Sequence, residues 1–567
     1  MSFPKVGRRL AVAVTVSAAL TTAGAIADED HHRAKHVILI SVDGLHQSDL
    51  DYYVGKNPTS TLAKLVNEGS SYVNARTPFP SDSFPGLAAQ VTGGNPRSTG
   101  VYYDDSWNRS LLPPGTTDCK HATPGTEVTY FEVLDLNPLA IDAGYGVGDI
   151  STSTAIRNNI YKMSGHAVDL IDPTKLPIEA ATCTGVYPHS YIRVNTVFEV
   201  AKAHGLHTAW SDKHAAYDLI NGPSGSGVDD LFAPEVNSII PTDLVGDGAP
   251  DDDFTKDNLN TQFYDALKVQ AVLNWAAGGN HDGSPNPKGV PAVFGMNFQA
   301  VSTAQKLNFS HFVGDGGSKG LGGYTNAGTV PGIVVEGALD FIDASMAKIV
   351  AAINPSDTAV ILSAKHGQSP LDRSLLRLID DGEVTAALDA AWNQKTNTSA
   401  GLVAFAIDDD GMLIWLKDHS KKAADFAENF LWNYVPVKVG GSNPDGSFHN
   451  YDGTVSHSGL RAIYAGKDAA DLIGVSKNDD RVPDVIGIAQ IGTVYSNPTK
   501  IGKIAEHGGD AEQDRHVPIV VWGAGVERST SGDPVETTQI APTILRLLGL
   551  PIDELIAVKK EGTDPLE

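Results

Sequence analysis

The chain has 567 residues, is 41% hydrophobic, and carries a formal charge of −26, with 42 Lys and Arg against 68 Asp and Glu. Its length exceeds what one simple core covers and suits a large α/β domain with an inserted piece. Nucleic-acid polymers are excluded as partners, because a polyanion repels another and no basic stripe or basic-aromatic interleaving runs along the chain. A small anionic substrate held by local positive groups fits.

Lys5, Arg8 and Arg9 precede an apolar run from Leu10 to Ile26, and Ala25-Ile26-Ala27 has the small-x-small form of a signal-peptidase site. Residues 1–27 therefore read as a secretory signal, with the mature protein exported as a secreted or periplasmic one. No later stretch offers eighteen apolar residues in a row, so no membrane span is expected. In that compartment Cys119 and Cys183, the two cysteines of the chain, are expected to pair.

His36-Val37-Ile38-Leu39-Ile40-Ser41-Val42 is apolar without alternation, as in a strand buried on both faces, and it ends in Asp43-Gly44. A carboxylate at the C-terminal end of a parallel strand lies where open α/β sheets place their ligand crevice. A helix over 60–68 stops at Gly69. Then comes Thr77 to Gly94, where Pro80 and Pro85 bracket Ser83 and Leu87, Ala88, Ala89 and Val91 supply a helix face. A serine at the first turn of a helix sits among unpaired N–H groups at the positive end of the dipole, where an anion is welcome. Taken alone it also reads as an ordinary N-cap.

The α/β alternation continues with a helix over 197–204 and a strand over 208–211 ending in Asp212-Lys213-His214. Further elements are a helix over 260–276, a strand over 291–297 and a long helix over 333–353. Asp251, Asp252 and Asp253 read as a solvated loop, since their spacing fits no EF-hand. Thr358 to Ser363 is a second buried strand, followed by Lys365-His366-Gly367. Residues 376–480 are less regular, with strands either side of an Asp408-Asp409-Asp410-Gly411 turn, and read as an inserted cap. Val482 to Ile488 is expected to resume the core, followed by Glu506-His507-Gly508-Gly509, an apolar strand over 517–521 and an amphipathic helix ending at Gly549.

The ordered set of Val-Asp-Gly, the Phe-Pro turn into Val-Thr-Gly-Gly, a strand ending in His-Gly, Glu-His-Gly-Gly, and Thr-Thr-Gln-Ile-Ala-Pro-Thr-Ile-Leu resembles the alkaline phosphatase superfamily. Within it the resemblance is to type I phosphodiesterases and nucleotide pyrophosphatases. It implies an α/β fold with a largely parallel central sheet between helical layers, built from 28–375 and 481–567 around the cap 376–480. It also implies a serine nucleophile at Ser83, metal ligands Asp43, Ser83 and His366, and His507 on another ion.

Two departures bear on the metals. Lys365 stands where the family has an aspartate, and the stretch Asn297 to Gln305 lacks the family's Asp-x-x-x-His pair. The favoured account is one divalent ion, zinc by resemblance, with the Lys365 ammonium replacing the second cation's charge on the substrate. Replacement ligands among Asp212, His214 and Asp218 are a second account, and a binding protein that kept only the fold is a third. A sulfatase-like ester hydrolase is the nearest other chemistry, but Phe84-Pro85-Gly86-Leu87 after Ser83 lacks the arginine of the sulfatase motif.

Overall fold

The computed structural model describes residues 33–245, 250 and 253–567, so the signal segment and Asp251–Asp252 lie outside the described residues. A nine-stranded sheet forms the centre. From one edge it runs Ser529–Ser531, Ser70–Arg76, His516–Gly523, Thr358–Ser363, His36–Val42, Val293–Phe298, Ala209–Ser211 and Asp230–Phe232, with Val535–Glu536 beside Ser70–Arg76. The pairings are parallel except those of His516–Gly523, which is antiparallel to both neighbours. The central strand His36–Val42 is buried along nearly its whole length, as its unbroken apolar run predicts.

Helices gather in two groups. Asn258–Ala276, Ala300–Lys306, Ile333–Ala352 and Thr61–Glu68 pack with one another, while Ser83–Thr92, Val197–Ala203 and Ile540–Leu548 form the other set. This is the layered α/β arrangement the sequence implies. Cys119 and Cys183 are joined, with Cα atoms 5.8 Å apart. Among the described residues no helix is long and apolar enough to cross a membrane.

Two four-stranded sheets lie apart from the central one, built from strands within 377–495, and here one expectation is corrected. Val485–Ala489, expected to resume the core, instead pairs antiparallel with Gly411–Leu416 and Leu460–Ala465 in one of them. Thr493–Tyr495 pairs with Arg377–Ile379 in the other, so the chain returns to the central sheet only after Tyr495. A short β-branched run reads the same in either sheet, and only its partners decide which it joins.

Register positions the site. Ser41 lies beside Ser363 on one side and Asn297 on the other, and Ser211 beside Met296. Two residues past those pairs, at the C-terminal ends of parallel strands, Asp43, Lys365 and Gln299 emerge side by side, with Lys213 one strand further on. That edge is where such sheets place ligands.

Candidate active site

The helix Ser83–Thr92 brings Ser83 to this edge. Asp82 is its N-cap, accepting the Phe84 N–H at Oδ1 over 3.1 Å, and every residue of the helix is buried. The helix is fastened to the Lys365 loop from several directions. The Gln90 amide donates to Ala364 O at 2.8 Å, the Thr77 hydroxyl donates to Lys365 O at 2.5 Å, and Gly86 packs so closely that a Cβ there would collide with the Lys365 carbonyl.

Ser83 Oγ lies 3.1 Å from His366 Nε2 and 3.3 Å from Asp43 Oδ2, and accepts from Lys213 Nζ at 3.4 Å. His366 Nδ1 faces the Gly367 carbonyl at 3.0 Å, and a carbonyl only accepts, so the ring proton sits on Nδ1 and the Nε2 lone pair points at Ser83. Burial, partly offset by Asp43, lowers the His366 pKa to about 4, which keeps the imidazole neutral and its lone pair available.

Asp43 Oδ2 is crowded by donors. Gln299 Nε2 reaches it at 2.5 Å and Asn297 Nδ2 at 3.3 Å, while Lys213 Nζ and Lys365 Nζ each stand 3.8 Å away. Burial alone would raise this carboxyl, but Lys365, His366, Lys213 and the Gln299 amide together hold it well below the usual carboxylate range. Its Oδ1 is buried without a hydrogen-bond partner. The stretch that lacks the family's Asp and His thus supplies two amides that grip Asp43 instead.

Lys365 is wholly buried and donates to Asp212 Oδ1 at 3.1 Å and to Tyr217 OH at 3.0 Å. Burial lowers its pKa against the pull of Asp212 and Asp43. Asp212 is fully engaged, because its Oδ2 takes the Trp210 indole at 3.0 Å and its Oδ1 also takes the Lys213 N–H at 3.0 Å. His214 turns its Nδ1 to Glu235 at 2.8 Å, and burial lowers its pKa to about 4. Asp218 binds His189 Nδ1 at 2.5 Å. The three candidate replacement ligands are therefore spent on separate partners and do not converge.

His507 does come to the site, its ring 4.2 Å from that of His366. Asp43, Ser83 and His366 are each 1% exposed, whereas the side chains of His507, Lys213 and Lys306 are 12%, 16% and 18% exposed. His507 and Lys213, both beside the site, are thus its more open side chains. Lys213 was missed by sequence reasoning, which singled out its neighbours Asp212 and His214; its place immediately past a strand end was the available signal.

The donor set can be tested for a metal. Asp43 Oδ1 without a partner, Ser83 Oγ and the His366 Nε2 lone pair together fit one divalent ion. The family's second ion has no such set, because Asn297, Gln299, Ser302 and Thr303 offer neither carboxylate nor imidazole.

Residues 37–127 match the family profile described as type I phosphodiesterase / nucleotide pyrophosphatase. Among solved structures the wild-type alkaline phosphatase PafA is similar, with a TM-score of 0.57 at 13% identity over 94% of this chain and 98% of that one. The chain has the alkaline phosphatase fold. A mutant of PafA matches with a TM-score of 0.55 at 15% identity over the same shares of the two chains, 94% and 98%. Murine ectonucleotide pyrophosphatase / phosphodiesterase 5 matches at 0.48 and 12% identity, over 91% of this chain and 96% of that one. No curated protein matches by sequence. The structural likeness shows the fold, and the family profile covers residues 37–127.

Proposed function

We propose that this chain hydrolyses phosphate esters, in the manner of phosphodiesterases and nucleotide pyrophosphatases, with Ser83 as nucleophile. The observation that carries the reading is Ser83 Oγ at a buried helix N-terminus, 3.1 Å from a neutral His366 Nε2 and 3.4 Å from Lys213 Nζ. A hydroxyl so placed is activated, and the helix dipole and the ammonium both favour the negative charge it takes on.

A divalent ion, zinc by the family resemblance, would be held by Asp43 Oδ1, Ser83 Oγ and His366 Nε2, and would supply Lewis-acid charge beside the phosphoryl oxygens. Around it the chain's own residues do the rest. Asn297 and Gln299 fix the Asp43 carboxylate by donating to Oδ2. Lys213, on the open side, meets the substrate's anionic oxygens as a point charge. Lys365, held by Asp212 and Tyr217, adds a second fixed positive charge 3.8 Å from Asp43, where a second ion's charge would otherwise act. Ser83 gives up its hydroxyl proton as Oγ bonds to phosphorus and the ester oxygen leaves as the alcohol; water then cleaves the phosphoserine, its hydroxyl going to phosphorus and its proton back to Ser83 Oγ. Export to an oxidising compartment belongs to the same reading, supported by the Cys119–Cys183 disulfide.

The test is Ser83→Ala assayed with p-nitrophenyl phosphate, bis-p-nitrophenyl phosphate and p-nitrophenyl sulfate. Loss of at least about a thousandfold in phosphate-ester turnover, with an unchanged melting curve, is expected. Retention of more than a few per cent, or a wild type that turns over only the sulfate ester or none of the three, overturns the reading.

A further inference from the structure

At the seam between cap and core, three side chains meet that the Ser83 chemistry leaves unused. Asp409 comes from the cap hairpin turn between Val403–Asp408 and Gly411–Leu416, and Glu506 and His507 from the loop that returns to the core. One ligand atom from each lies within 4.8 Å of the others. The resemblance assigns His507 to an ion, but to one whose remaining family ligands this chain lacks.

A second, independent observation concerns His507, the imidazole of this cluster. Asp82 is wholly buried; its Oδ1 is taken by the helix N-terminus, and its Oδ2 has no hydrogen-bond partner among the described residues. That oxygen stands 3.8 Å from His507 Nδ1, which is also buried and without a partner. The gap is too long for a direct hydrogen bond. Asp82 does not converge with Asp409 and Glu506, so His507 Nδ1 is left without a hydrogen-bond partner among the described residues.

We infer that Asp409, Glu506 and His507 form a divalent-cation site at the cap–core seam, separate from the ion beside Ser83. One imidazole with carboxylates suits zinc or manganese rather than an all-oxygen calcium site. The charges match. Lys306 Nζ, at 2.7 Å, and Lys503 Nζ each take one oxygen of Glu506, whose carboxylate keeps further lone pairs. Asp409 then offers its whole negative charge, and Glu506 a shared one, to a doubly charged ion. Tyr103 OH donates to Asp409 Oδ2 at 2.5 Å and orients it, as hydrogen-bonded neighbours orient metal ligands.

The backbone already draws these segments together. Asp410 N donates to His507 O at 3.2 Å, Gly508 N to Ser81 O at 3.1 Å, and the Ser81 hydroxyl to Gly509 O at 2.8 Å. An ion here ties the hairpin of Asp409 to the Glu506–His507 loop, which is itself hydrogen-bonded to Ser81 just ahead of the Ser83 helix.

The experiment uses full-length protein stripped with chelator and reloaded with zinc or manganese, read by elemental analysis and by melting temperature. Wild type is expected to bind one more ion per chain than Asp409→Asn and His507→Gln. Metal is expected to raise the melting temperature of wild type at least twice as much as that of either seam variant. The same one-ion difference between Ser83→Ala and the double variant Ser83→Ala/Asp409→Asn separates this inference from the nucleophile assignment. Equal stoichiometry in wild type and both seam variants overturns the site. Should either variant fail to fold, anomalous diffraction from zinc-loaded wild-type crystals decides: a peak among Asp409, Glu506 and His507 is expected, and none there overturns it.

Discussion

Lys213 Nζ lies 3.4 Å from Ser83 Oγ and 3.8 Å from Asp43 Oδ2, the nearest ammonium to the nucleophile. Burial works against its charge, but Asp43, Asp212, Asp104 and Asp82 together raise its pKa, so it stays an ammonium across neutral pH. Lys213→Met keeps the length of the side chain and deletes the charge. The expected loss is about a hundredfold to a thousandfold in kcat, the scale of removing one oxyanion donor. A kcat within threefold of wild type would show that Lys213 takes no part in the chemistry.

Lys365 depends on Asp212 in a different way. It is buried, and Asp212 at 3.1 Å is its closest counter-charge. Asp212→Asn leaves the buried ammonium with the Asp43 carboxylate, 3.8 Å away, as its remaining counter-charge, so a loss of about 2–4 kcal/mol in unfolding free energy is expected. Adding Lys365→Met removes that ammonium, and the double variant should recover most of the stability while staying slow. Chemical denaturation of the two single variants and the double gives the coupling directly. Strictly additive losses would mean that the pair is not a unit.

The Ser83 helix is held against the Lys365 loop by shape as much as by hydrogen bonds. Gly86→Ala places a methyl group against the Lys365 carbonyl, a backbone atom that cannot swing aside. Overpacking of this kind costs about 1–3 kcal/mol. Activity should fall more than that cost alone implies, because Ser83, Lys365 and His366 shift relative to one another. A variant with wild-type melting temperature and kcat would show the contact to be slack.

Much of this was legible in the sequence, for reasons particular residues show. The unbroken run His36–Val42 and the Ser83 turn identify a buried strand and a helix N-terminus because burial on both faces and proline-bounded capping leave local marks. Val485–Ala489 left no mark of its sheet, since pairing with Gly411–Leu416 is a non-local choice. Asn297 and Gln299 looked like mere losses, because a sequence records which ligands are missing and not that two amides now donate to Asp43. Lys213 was hidden by having a carboxylate and an imidazole on either side, residue types that attract attention first.

A last prediction concerns the hairpin beside the site. Asp105 opens the strand Asp105–Asn108, paired with Thr126–Thr129, and its Oδ1 is buried without a hydrogen-bond partner. Burial, with Glu127 and Asp104 nearby, pushes its carboxyl up to about 9 from 3.8. The folded chain therefore holds a proton that the unfolded chain releases once the pH passes 3.8. The stability tied to this group is full below 3.8, declines as the pH rises, and is lost by about pH 9. Asp105→Asn cannot ionise and should be more stable than wild type by about 1–3 kcal/mol at pH 8, with the difference shrinking toward acid. Thermal melts of both proteins between pH 5 and about pH 9 follow it; parallel curves across that range would mean that Asp105 is ionised in the folded protein after all.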